Sequence, residues 1–178
     1  ELYVKTYLPK FDLVAREFRK LVPGIQIGGC GLPSAFGQGV MKYLIREWEK
    51  DSHELPDFVS MSVYPYSLRW VTEAEKGIDD EKIADRYISS TFMCRTISAM
   101  KTILEQSRLK DCKFYVTEWN LSIVSNNYVN DTCLKGAYIV QNLIDNIGNC
   151  DVMAYWGGTD LFVQHAGMTK CLNGAGAL

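Results

Sequence analysis

A chain of 178 residues with 47% apolar content is long enough to bury one sizeable core, which fits a single domain and excludes a disordered tail. The formal charge of −2, with both signs interspersed, provides no broad basic face to neutralise phosphates, so no direct nucleic-acid partner is expected. No stretch approaches the ~20 uncharged apolar residues of a membrane helix, and the N-terminus lacks the apolar core of a signal peptide, so no membrane partner is expected either.

Helical spacing runs through Leu8, Phe11, Val14, Ala15, Phe18 and Leu21, and Pro23-Gly24 ends that segment. Residues 25–29 follow as a buried strand leading into a glycine-rich turn at Gly29, Gly31 and Gly37, and a second helix covers about 40–50. Phe58 to Tyr64 is a strand closed by Pro65. The charged residues between Arg69 and Asp80 form a solvated loop, and helical spacing resumes over 81–107 as one long or two abutting helices. Lys113 to Thr117 is the third strand. Thr132 to Ile147 is a helix with Asn130 or Asp131 as its N-cap, and Val152 to Trp156 is the fourth strand.

Strands that alternate with helices and are apolar on both faces belong to a parallel sheet covered by helices. A doubly wound sheet would carry a phosphate fingerprint after its first strand, and Gly28-Gly29-Cys30-Gly31 is not a G-x-G-x-x-G opening a helix. The fold class expected is therefore α/β, a partial TIM (β/α)8 barrel. Four strands are half of a domain that takes eight strands in roughly 250 residues, so 1–178 is expected to be half a barrel truncated at both ends. Two open sheet edges and an uncovered apolar face predict pairing with the remaining half or with another copy of the chain.

In a barrel the C-terminal strand ends converge on one active site. Here they carry Tyr64, Glu118-Trp119-Asn120 and Trp156 through Asp160. Glu118 follows directly on strand residues between an indole and an amide, where a carboxylate loses hydration unless it is hydrogen-bonded or used. From spacing alone, a strand-end glutamate paired with a lysine fits equally well. Flat faces at Trp119 and Trp156, with hydrogen-bonding groups at Tyr64, Asn120 and Asp160, suit a carbohydrate, whose rings present both C–H faces and hydroxyls. Trp48 and Trp70 are expected to fill the core. His53 and His165 are expected to be solvated loop residues, and they complete no Ser-His-Asp set.

Cys30, Cys94, Cys112, Cys133, Cys150 and Cys171 stand singly, with no C-x-x-C pair and no neighbouring histidine, so neither a metal site nor a cofactor is expected. Scattered single thiols point to a reducing, cytoplasmic compartment.

Four separated motifs resemble the C-terminal half of glycoside hydrolase family 39, a β-xylosidase-like family of retaining (β/α)8 enzymes. Ile27-Gly28-Gly29 resembles its V-G-G strand, and Asp57-Phe58-Val59-Ser60 with Tyr64 resembles its D-F-x-S strand. Thr117-Glu118-Trp119-Asn120 followed by Asn130-Asp131-Thr132 resembles the nucleophile strand and the start of the next helix. Tyr155-Trp156 with Asp160, Phe162, Gly174 and Gly176 resembles the last strand and its glycine-rich return. The resemblance makes these strands the fifth to eighth of the barrel and Glu118 the nucleophile. It implies that Tyr64 hydrogen-bonds Glu118 and that the acid/base glutamate, in an N-E motif ending the fourth strand, lies outside this chain. Glu1 follows no asparagine and takes no such role, so the chain alone is expected to be inactive.

Ser62 stands where the family commonly has histidine, and Gln164 replaces part of an acidic pair, which weakens the case for xylose as the sugar. Both positions remain expected substrate contacts. These replacements also fit a second function, a non-catalytic sugar-sensing domain of a helix-turn-helix transcriptional regulator.

Overall fold

A computed structural model describes residues 2–33, 37–50, 52–65, 90–121 and 132–157. The elements alternate along the chain: α1 (Leu2–Leu21), β1 (Gly28–Pro33), α2 (Gly37–Trp48), β2 (Phe58–Val63), α3 (Phe92–Glu105), β3 (Lys113–Trp119), α4 (Cys133–Asp145) and β4 (Val152–Tyr155). The strands form one sheet in the order β1-β2-β3-β4, and every pair is parallel. Sequential order with no reversal is that of consecutive units of a (β/α)8 barrel, whereas a doubly wound sheet changes direction at a switch point.

The helices cover one face of the sheet. Val59, Met61 and Val63 from β2, Phe114, Val116 and Trp119 from β3, and Leu32 from β1 are buried in the core they share with the helices. Helix α1 adds Val4, Leu8, Phe11 and Ala15 to that core. Their spacing explains why the helix begins a turn and a half earlier than periodicity from Leu8 predicts: burial of Val4 holds the first turns despite Pro9, which removes a backbone donor from the helix interior. Tyr7 and Phe11 meet the buried Trp48 edge-on at 6.1 and 5.3 Å between ring centroids, joining α1 to the end of α2.

Strand β1 starts at Gly28, three residues later than expected, because residues from Gly28 onward pair with β2 while Ile27 is held by a side chain. Each residue of the Asp57-Phe58-Val59-Ser60 motif is engaged. The Asp57 carboxylate accepts the Ile27 N–H at 2.8 Å and pairs with Arg19 of α1 at 3.0 Å. Phe58 lies across Gly28, Val59 enters the core, and the Ser60 hydroxyl accepts the Gly31 N–H at 3.1 Å.

Asp151 repeats the Asp57 device two strands later. It accepts the Phe114 N–H at 2.8 Å and pairs with Lys113 at 3.0 Å. That backbone hydrogen bond, aided by Lys113, holds the carboxyl below the usual aspartate range. A depressed folded-state pKa contributes stability above the unfolded value, near 4, that is lost as pH falls through the folded value. Asp151→Asn is therefore expected to cost about 1 kcal/mol at pH 7, after allowance for solvent screening at this half-exposed site. The difference from wild type in urea melts shrinks below pH 4, and a deficit independent of pH would contradict the assignment.

Three expectations need correction or restriction. His53 is not a solvated loop residue: it is largely buried, and its Nδ1 lies 2.7 Å from Asp12 of α1. The N-cap of α4 is Thr132, with extended backbone, while Asn130 and Asp131 lie outside the described residues. The solvated loop expected between Arg69 and Asp80, Trp70 and the part of the predicted 81–107 helix before residue 90 also lie outside them. Cys30, Cys94, Cys112, Cys133 and Cys150 are free thiols, and Cys171 is outside the described residues.

The face of the sheet away from the helices carries Phe58, Ser60, Ser62, Tyr115 and Glu118. Phe58 and Tyr115 stack on it with centroids 4.7 Å apart. On the helix side, Val14, Phe18 and Leu21 of α1 and Val140, Leu143 and Ile144 of α4 are exposed, leaving apolar surface on both edge helices. No helix among the described residues is long and apolar enough to cross a membrane.

Candidate active site

A single extra residue in β3 determines which side chain reaches the mouth of the sheet. Val116 pairs with Met61 of β2, yet Glu118 pairs with Ser62, so Thr117 is a bulge. The β4 register skips the same place, from Val116↔Met153 to Trp119↔Tyr155. Strict alternation from the buried Phe114 and Val116 would put Glu118 in the helix-side core and turn Trp119 toward the mouth. The bulge reverses this: Glu118 shares the open face with Ser62, and Trp119 enters the core.

Glu118 is there met by the residue that follows β2. The Tyr64 hydroxyl donates to Glu118 Oε1 at 2.5 Å. Burial, and then the carboxylate beside it, push the Tyr64 phenol well above its ordinary range, so it stays protonated and donates throughout the physiological pH range. A short hydrogen bond from a phenol fixes the orientation of the Glu118 carboxyl group. Trp156 follows β4 and is 52% exposed, which leaves its ring available to a ligand.

Two expected contacts are corrected. Trp119 offers no face to a ligand: it is wholly buried, with Tyr155 edge-on at 5.1 Å and Tyr138 at 6.4 Å between centroids. Asn120 is also buried, with only 1% of its surface exposed, and its amide serves the protein. Its Nδ2 donates to the Trp156 carbonyl at 2.5 Å, while its Oδ1 accepts the Leu121 N–H at 2.7 Å and the Tyr155 hydroxyl at 3.2 Å. Asp160, Gln164 and His165 lie outside the described residues. Sequence reasoning included Tyr155 and Thr117 in its motifs but gave neither a role. Tyr155 looks like ordinary strand filling, and nothing in a Phe-Tyr-Val-Thr run announces a bulge.

The arrangement is a carboxylate held by a phenol at the C-terminal end of a parallel sheet, with an exposed indole one strand away. No group of three or more His, Cys, Asp or Glu side chains able to hold a metal ion occurs among the described residues. The sequence of residues 1–171 matches the model of "Glycosyl hydrolases family 39". The chain belongs to this family.

A β-xylosidase from Geobacillus stearothermophilus is 22% identical over 158 residues, covering 89% of this chain and 30% of its own length. The crystal structure of a monomeric β-xylosidase from Caulobacter crescentus superposes with a TM-score of 0.71 at 22% identity, covering 98% of this chain and 33% of its own. The family 39 enzyme of Xanthomonas axonopodis pv. citri also gives a TM-score of 0.71, at 21% identity, covering 97% of this chain and 32% of its own. The four-stranded sheet is thus part of a family 39 (β/α)8 fold, and the chain spans about a third of the length of these relatives.

Proposed function

We propose that this chain supplies the nucleophile side of a retaining, β-xylosidase-like O-glycosyl hydrolase site, with Glu118 as nucleophile. The observation that carries the reading is the hydrogen bond from Tyr64 to Glu118 at the strand ends. In the first step a Glu118 oxygen attacks the anomeric carbon while the bond to the leaving oxygen breaks and that oxygen takes a proton from a general acid. In the second step water, giving its proton to the same group, displaces the Glu118 carboxylate from the sugar. Tyr64 acts on both steps: it aims the nucleophile, and it stabilises the charge that returns to Glu118 when the ester breaks.

Retention requires a second carboxyl about 5–5.5 Å from the first. The proposed acid/base group is the glutamate of an N-E motif ending the preceding strand of the barrel, and the rest of the barrel is the proposed partner of this site. A β-linked glycoside is the proposed substrate, with Trp156 stacking on its ring and Ser62, Asp160 and Gln164 meeting hydroxyls. Trp119 and Asn120 are not assigned as substrate contacts. Loss of aryl β-glycoside turnover in Glu118→Gln, made in the protein carrying the whole barrel, tests the assignment. Ser62 and Gln164, in place of expected histidine and acidic groups, favour the sensor reading, which predicts sugar binding without turnover in the unmutated protein.

A further inference from the structure

The proposed chemistry leaves the amide of Asn120 unused. A buried side chain that satisfies three partners at a strand end does more than fill space. Its Nδ2–H joins β3 to the carbonyl of Trp156, on the next strand, at 2.5 Å. Its Oδ1 takes the Tyr155 hydroxyl, so one side chain holds two successive residues of the β4 end. The main chain adds a parallel tie, from the Trp156 N–H to the Trp119 carbonyl at 2.9 Å. Backbone N–H and C=O of Trp156 are thereby both fixed to the segment that carries Glu118. Support from behind comes from Lys135 of α4, whose ammonium lies 5.8 Å from the centroid of the Tyr155 ring.

The exposed part of Trp156 is its indole, and the held part is its peptide. With both backbone groups tied, the ring has only its own side-chain torsions left to vary relative to Glu118.

We propose that Asn120 is a positioning residue that sets the Trp156 indole relative to Glu118 and so governs how tightly the sugar ring is held. This rests on the glycosidase reading above. Asn120 never touches the substrate; it acts through Trp156. Its removal therefore weakens binding more than it slows the chemical step.

The test is a double-mutant cycle on KM and kcat for p-nitrophenyl β-D-xyloside, in the protein carrying the whole barrel. Asn120→Asp keeps the acceptor for Leu121 and Tyr155 but loses the donor to the Trp156 carbonyl. Asn120→Leu, close in shape, loses the donor without adding charge and serves as the second variant. Each is expected to raise KM roughly tenfold with kcat changed less than about threefold, the scale of one lost buried hydrogen bond. In a Trp156→Ala background, where no indole remains to position, neither is expected to raise KM further. An equal rise in KM in both backgrounds, or no rise in the wild-type background, would overturn the proposal. Parallel assays separate the two claims: absence of turnover in the unmutated protein would end the glycosidase reading, and turnover retained in Glu118→Gln would end the assignment of Glu118 as nucleophile, whatever the cycle gives.

Discussion

Glu118→Gln is expected to lower kcat for aryl β-glycosides on the order of 10⁴-fold or more, about 5.5 kcal/mol at 1.36 kcal/mol per decade, while KM changes little. Gln is nearly isosteric, and its amide oxygen still accepts the Tyr64 hydroxyl, so the site keeps its shape. What is lost is the carboxylate oxygen that, in the proposed mechanism, forms the bond to the anomeric carbon. Among the described residues, the open-face neighbours of Glu118 in β2 and just beyond β4 are Ser62, Tyr64 and Trp156, none of which is ionised at neutral pH. Steady-state kinetics on the purified full-length variant, with a melting curve matching wild type, provide the measurement.

Gly28→Ala is expected to be the most damaging single-methyl change in the described core. A Cβ at Gly28 would lie 2.1 Å from the Phe58 carbonyl oxygen and 2.6 Å from Phe58 Cγ. Neither can retreat easily, because Phe58 is paired on one side with Gly28 and on the other with Lys113, and its ring is stacked on Tyr115. The clash forces the β1–β2 pair apart, at a cost of about 3 kcal/mol or more. Gly136→Ala in α4 is the control, since no atom lies within 4 Å of the added methyl. There the better helix propensity of Ala leaves stability unchanged or raises it by up to about 1 kcal/mol. Urea denaturation of the two variants side by side checks both signs.

The same contact explains why two motifs that looked independent in the sequence belong together. Gly28 of the Ile-Gly-Gly segment is the space into which Phe58 of the Asp-Phe-Val-Ser segment fits, and Asp57 and Ser60 bond the backbone on either side of it. Element order and type were legible because helical and strand periods alternate along the whole chain. The sequential parallel sheet followed from that alternation together with the absence of a phosphate fingerprint.

The site was legible as a set of strand ends but not as a set of directions. Tyr64 meets Glu118, and Trp156 stands one strand away, because each ends or follows a neighbouring strand. Trp119 was misplaced because the third strand was expected to end at Thr117, whereas β3 continues to Trp119 and the extra residue at Thr117 turns that side chain into the core. Asn120 was misplaced for another reason. An amide beside a carboxylate has the same appearance in sequence whether it faces a sugar or the backbone of the next strand, and only the pairing of β3 with β4 distinguishes these. The start of α1 was missed because the spacing was followed only from Leu8, while the burial of Val4 that carries the helix past Pro9 is a tertiary effect.

The central claim is that Glu118 forms a covalent bond to the sugar. A 2-deoxy-2-fluoro β-glycoside with an activated leaving group slows both steps by destabilising the oxocarbenium-like transition states, and the leaving group restores the first, so the ester accumulates. Mass spectrometry of peptides from the treated full-length protein is predicted to locate one fluorosugar on Glu118. A label on another carboxylate, or undiminished turnover with Glu118 unmodified, would contradict the account.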